Sequence, residues 1–391
     1  MISPHEIQAM SEDIIRLYTS IEDDLLRNVA SRFSVLDEIT PDTVGAWQTE
    51  KLLQLGALKK ENLKILSQYS GKTIQEITKI LTDAGFQTLT FDEQLYEKAY
   101  SKGLLVNMPV PVNVSPTLKQ VIKGALNNTR KYFNLINTTA LESAQTGFKS
   151  IINQTYLETS LGISDYSTAV KKAVKNLADQ GITGATYISK HGTKTQTHVD
   201  VAVRRCIVTS TSQTAGVMQE ERAKEWGANL VEVTSHAGSR PEHARWQGKI
   251  FQLEGESAKY PNLRKATGYG TVTGLKGANC SHDFYPFFPG LSEQTYKPIP
   301  KEENDKVYEQ SQQQRQLERD VRAQKRRVLT ADAAGDAEGK TKAQLALKDK
   351  ESQLKQFIKD TGRTQRTNRQ QVNTFGHSQA MQAVWAKRKA D

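Results

Sequence analysis

The chain has 391 residues, a hydrophobic fraction of 37%, a mean hydropathy of −0.59 and a net charge of +10. That length allows two or three domains, and the low hydrophobic fraction implies that much of the chain is solvated helix rather than one compact globule. No apolar run approaches the roughly 18 residues that cross a bilayer, Met1 to Met10 lacks the basic-then-apolar order of a secretory signal, and two cysteines, Cys206 and Cys280, give no disulfide framework. The expectation is a soluble protein made in a reducing cytosol, with no membrane partner.

The charge is unevenly spread. Residues 1–100 carry 10 basic and 16 acidic side chains (−6), residues 101–300 carry 23 and 14 (+9), and residues 301–391 carry 20 and 13 (+7). An acidic end that meets protein and a basic remainder that contacts nucleic acid is one reading; solvated helix faces with an excess of Lys and Arg is the other.

The first element opens on Ser3-Pro4-His5-Glu6, a capping box with proline at the first helical position. Ile7, Met10, Ile14, Leu17, Ile21, Leu25 and Val29 recur three and four apart, which predicts a long amphipathic helix ending near Phe33. Glu12, Asp13, Glu22, Asp23 and Asp24 are expected on its other side, and the apolar stripe is expected to dock on a partner protein. A second helix starts at Thr40-Pro41 and breaks at Gly56. Short helices follow to Gly85, and a capping box at Thr90–Glu93 opens another. Pro and Asn alternate through Gly103–Pro116, which predicts an extended linker. Beyond it come a long helix capped by Ser115-Pro116, a shorter one over Ala169–Ala178 closed by Gly181, a hairpin turning at Gly192, and a helix from about Val199 to Trp226.

Composition shifts at Gly227. From Asn229 to Pro289 the chain is rich in Gly, Pro, His and aromatics around a strand at Leu230–Val233. After Pro300 it becomes rich in Gln, Lys and Arg, with helices over Glu303–Val328 and Lys340–Thr361 flanking a turn at Asp332–Gly339. Narrow seams (Leu317, Val321, Val328; Leu347, Leu354, Ile358) suggest a projecting coiled pair, and the last 30 residues read as a basic mobile tail. The predicted fold is mainly α with a small α/β module, an extended multi-helix protein ending in a helical hairpin. Its segments are 1–103 (N-terminal helices), 104–116 (linker), 117–228 (middle helices with a hairpin), 229–300 (α/β module) and 301–391 (basic hairpin and tail).

Four potential metal ligands fall in the module: His236, His243, Cys280 and His282. Cys280 and His282 share a face if extended, as a zinc site needs, whereas the seven-residue spacing of His236 and His243 is not a usual helical ligand pair. Zinc held structurally and plain hydrogen-bonded turn residues are the competing readings. An enzymatic alternative is a metal-dependent nuclease in which His236 or His243 activates water and Asn279 orients it, but only Glu242 and Asp283 offer carboxylates nearby. Arg204-Arg205, Ser210-Thr211-Ser212 and Glu221 resemble the scattered set of ADP-ribosyltransferases, yet all lie in one helical stretch and cannot surround a cleft. Arg315, Arg319, Arg322 and Arg326 follow the spacing of one helix face and could track a phosphate backbone, or pair with acids such as Glu318 and Asp320.

The stretches VEVTSHAGSRPEHARWQGKIF and GYGTVTGLKGANCSHDFYPFFPG resemble the phage minor capsid protein 2 family, related to the Mu F-like head morphogenesis proteins of tailed phages. DVAVRRCIVTSTSQTAGVMQEERAKEWGANL, LYTSIEDDLLRNVASR, WQTEKLLQLGALKKENLKIL and YEQSQQQRQLERDVRAQKRR extend the likeness over nearly the whole chain. Ser281 departs from the family pattern, in which Arg separates the Cys from the His. The resemblance implies a structural head protein without catalysis, assembled in the host cytoplasm into the virion at the portal vertex or capsid interior. Its implied partners are portal, capsid or scaffold proteins, with non-specific double-stranded DNA a further one.

Overall fold

The computed structural model describes residues 4–188 and 192–372, without the side chains of residues 4, 5 and 69–72. The protein is mainly α with a small α/β module. The described chain clusters into two compact units, each drawn from three separate stretches: Met1–Ile14, Lys72–Phe133 and Arg204–Gln312 form the first, and Ile15–Gly71, Asn134–Val203 and Gln313–Asp391 the second. The boundaries fall inside long helices, so unit membership does not follow the consecutive segments read from composition.

Helix α1 spans Pro4–Ala30; the serine expected to cap it lies outside the described residues. In the first unit its Ile7 packs with Ala84, Met10 and Val208. Ile14 closes the first unit's part of the stripe, and in the second unit Ile21, Leu25 and Val29 continue it, each of the four no more than 1% exposed. The apolar stripe is therefore satisfied within the chain, and the expectation that it docks on a partner is corrected. Glu22 and Asp23, expected on the solvated side, are also buried.

The region expected to hold several short helices is largely one. After α2 (Val44–Leu53), α3 runs unbroken from Leu55 to Ser101. The break falls at Gln54, not Gly56, and Thr90 bonds back to the Phe86 carbonyl within the helix instead of capping a new one. Gly85 is a contact residue, not a helix breaker: a Cβ there would lie 2.4 Å from Sδ of Met218. Tertiary packing outweighs the roughly 1 kcal/mol that glycine costs a helix.

The linker leads into α4 (Pro116–Ser160), where the Ser115 hydroxyl accepts from the Leu118 N–H at 3.3 Å. Helix α5 (Tyr166–Gln180) is capped by Asp165, whose carboxylate accepts from the Thr168 N–H at 2.9 Å. The hairpin pairs β1 (Thr183–Ile188) with β2 (Lys194–His198), and α6 follows from Val199 to Trp226.

The module is a three-stranded antiparallel sheet with central β3 (Leu230–Val233), flanked by β4 (Ile250–Gln252) and β5 (Phe284–Pro286). Two short helices, α7 (Pro241–Ala244) and α8 (Leu263–Thr267), fill its connections. Strands this short cannot supply a core alone. Val231, Val233, Phe251 and Phe284 pack instead with Tyr96 of α3 and with Ala223 and Trp226 of α6.

Helices α9 (Lys301–Ala333) and α10 (Ala337–Thr361) form the hairpin, with Asp336 capping α10 through the Gly339 N–H at 2.9 Å. Val321, Leu347 and Leu354 make the seam, joined by Leu317 and Ile358. Yet α9 is no projecting arm: Arg326 donates to the Ala178 carbonyl at 3.0 Å, and the Val35 N–H donates to the Ala334 carbonyl at 3.3 Å. The basic end of the chain from residue 373 lies outside the described residues.

Candidate functional site

Three turns of the module converge on one buried point. Strand β3 runs into the loop carrying His236. Pro241 starts the single turn α7, which buries His243. The Gly-rich return from α8 ends in Cys280 and His282, just before β5. Gly277 makes that return possible, since a Cβ there would stand 2.4 Å from the Val272 carbonyl oxygen. Asn279 takes a left-handed φ of 57°, which asparagine tolerates better than most side chains.

The structure brings the four sequence-predicted residues together. Cys280 Sγ lies 3.7 Å from Nδ1 of His243 and 3.7 Å from Nδ1 of His282. Donor atoms of these three all fall within 4.8 Å of one another. His236 lies outside that closest group but stacks on His282, with ring centroids 4.3 Å apart. Trp246 walls the cluster, its ring 4.6 Å from His243 and 4.7 Å from His282. His243 and His282 are each 2% exposed and Cys280 8%. Burial, together with the neighbouring imidazoles and Arg240, pushes His282 down to about 2, and burial also lowers His236 and His243. All three rings are therefore neutral near pH 7, the form that donates a lone pair. Burial raises the Cys280 thiol.

The residues around the cluster carry information that its sequence spacing did not. Gln247 Oε1 accepts from the His236 backbone N–H at 3.1 Å and meets Nε2 of His282 at 3.0 Å. Asn304 of α9 pins the His236 loop by bonding both N–H and carbonyl of Ser239 at 2.9 Å. Gln247 lies in the stretch that carries the family likeness, but its role was not legible there; Asn304 lies outside that stretch, and only the fold reveals it. The carboxylates required by the nuclease reading are unsuited: Asp283 is engaged by Lys276 Nζ at 2.5 Å and by the Phe284 N–H at 2.7 Å, and Glu242 is exposed on α7. Asn279 is exposed too.

The other constellations separate cleanly. Arg204, Arg205, Ser210, Thr211, Ser212 and Glu221 all lie on α6, as the periodicity required. The arginine stripe does not form one solvent face. Arg315 and Arg319 are exposed, whereas Arg322 is 9% and Arg326 4% exposed and both are engaged inside the second unit. The expectation that all four share one solvent face is thereby corrected: two of them, Arg315 and Arg319, are exposed. The reason is that the lower turns of α9 pack on the acids of α1 and α6, which helical spacing alone cannot reveal.

The fold is thus a helical protein with a small α/β module that buries a Cys/His cluster. In comparison with known families, the one described as Phage minor capsid protein 2 matches residues 2–359. The chain belongs to the phage minor capsid protein 2 family. It is similar to a structural protein of Lactococcus phage LL-H, 25% identical over 349 residues, covering 86% of this chain and 90% of the relative. A structural protein of Lactococcus phage mv4 is 32% identical over 102 residues, 26% of this chain and 82% of the relative. No solved structure matches. Among the described residues no helix is long and apolar enough to cross a membrane.

Proposed function

We propose that the protein is a structural component of a tailed-phage head, built into the virion at the portal vertex or capsid interior and bound to portal, capsid or scaffold subunits. The family match over residues 2–359 carries this reading. The engagement of Asp283 by Lys276 and the confinement of the ADP-ribosyltransferase-like set to one helix support a binding role over catalysis. Non-specific contact with double-stranded DNA belongs to the same proposal, through exposed Arg315 and Arg319 and the basic end of the chain.

The test is co-expression with portal and major capsid proteins, followed by density maps of the purified particles. Extra mass at the portal vertex or inner shell, present only with this chain, is the expected result. Divalent-metal-dependent cleavage of DNA by the purified protein, with no mass on particles, overturns the proposal in favour of a nuclease.

A further inference from the structure

The hydrogen bonds around the Cys/His cluster determine which ring nitrogens carry protons. The His236 backbone N–H can only donate, so the Gln247 side-chain atom it meets is the amide oxygen. That same oxygen faces Nε2 of His282 at 3.0 Å, so Nε2 must carry the proton there. Nδ1 of His282 is then the lone-pair nitrogen, and it faces Cys280 Sγ. The Thr273 carbonyl, 2.8 Å from Nε2 of His243, supports the same tautomer on that ring, in competition with the donor-only Arg240 Nη2, which stands 2.9 Å from the same nitrogen and also reaches the carbonyl at 3.5 Å. In that tautomer both rings hold a lone pair toward one sulfur. That sulfur also accepts from the His282 backbone N–H at 3.4 Å, a bond that stabilises a thiolate.

The spacing matches coordination. Tetrahedral zinc with ordinary Zn–N and Zn–S bonds separates nitrogen from sulfur by about 3.6 Å. Both nitrogen–sulfur distances here are 3.7 Å. A His that donates its second N–H to a carbonyl or amide oxygen is the usual support of a metal ligand. We propose that His243, Cys280 and His282 bind one zinc ion through Nδ1, Sγ and Nδ1, as a structural centre of the module. Binding releases the Cys280 thiol proton to solvent and leaves a zinc–thiolate bond. His236 Nε2, buried without a hydrogen-bond partner, is available for the fourth position. The ion ties α7 to the return before β5, linking residues 37 apart in a module whose strands have only three or four residues.

The inference is independent of the virion reading, because its test needs only the purified full chain. Elemental analysis of protein prepared under reducing conditions is expected to find one zinc per chain. Chelation should lower the unfolding temperature and added zinc should restore it. Cobalt substitution should produce a thiolate-to-cobalt charge-transfer band that Cys280→Ser abolishes, together with the zinc-dependent shift. Gln247→Leu, which removes the amide oxygen shared by His282 Nε2 and the His236 backbone N–H while keeping all the ligands, should weaken zinc affinity roughly 10–100-fold while leaving the band. Metal-free protein whose unfolding temperature ignores added zinc, or a cobalt spectrum unchanged by Cys280→Ser, overturns the proposal.

Discussion

Arg322 of α9 grips Asp200 of α6 with both guanidinium nitrogens, Nη1 to Oδ2 at 2.5 Å and Nη2 to Oδ1 at 2.7 Å. Glu22 of α1 lies 3.7 Å away and accepts a second charge contact. Burial alone would lower the Arg322 pKa, but Asp200 and Glu22 more than offset it and hold it above the ordinary value. Removing the cation leaves two buried carboxylates without it. Arg322→Met should therefore cost about 3–5 kcal/mol, read as a lower urea midpoint. Adding Asp200→Leu should recover part of the loss, since the unpaired charge is the main penalty. Equal stability of wild type and Arg322→Met would show the pair to be dispensable.

Asp92 supplies a pH dependence. It is 0% exposed and accepts from Gln219 at 3.3 Å, and burial raises its carboxyl from 3.8 to about 8. Between those values the folded chain keeps a proton that the unfolded chain has lost. The stability contribution is complete below 3.8 and is lost as pH rises toward 8, at up to about 1.4 kcal/mol per pH unit. Asp92→Asn should flatten that decline, so denaturation midpoints of variant and wild type should diverge progressively from pH 5 to pH 8. Parallel profiles would sink the assignment.

Gly85 and Met218 set up a packing test. Alanine favours a helix over glycine by roughly 1 kcal/mol, but a Cβ at position 85 would stand 2.4 Å from Met218 Sδ. Overpacking costs about 1–3 kcal/mol, so Gly85→Ala should destabilise the protein. Combining it with Met218→Ala should cost less than the two changes summed, measured as a double-mutant cycle.

Deleting residues 1–100 removes parts of both compact units, since each draws on that stretch. The truncation should lose cooperative unfolding by calorimetry instead of yielding a folded remainder that merely fails to dock. A sharp transition in the truncated chain would refute this.

Of the four arginines of α9, only the two exposed ones should register in DNA binding. Replacing Arg315 and Arg319 with Gln should reduce the salt dependence of affinity by at most roughly two counterions. The same changes at Arg322 and Arg326 should act through stability, which a folded-fraction measurement separates from contact with phosphate.

Much was legible in the sequence because it is local. Periodicity and caps announced α1, α5, α6 and the α9–α10 hairpin, and Leu230–Val233 is the strand read from composition. The four Cys/His positions stood out because such residues are rare elsewhere in the module, and the structure gathers them. What the sequence determined by itself is therefore most of the helices though not the unbroken α3, the small module, the residue types at its centre and the family likeness. Tertiary structure alone decided which faces are covered. Gly85 continues a helix because Met218 packs against it, Glu22 and Asp23 lie inside, and Arg322 and Arg326 turn to acids and carbonyls of other elements instead of solvent. Helical spacing sets the angle of a side chain about its own axis. It carries no record of the partner surface, and burial of charge depends on partners brought from more than 100 residues away.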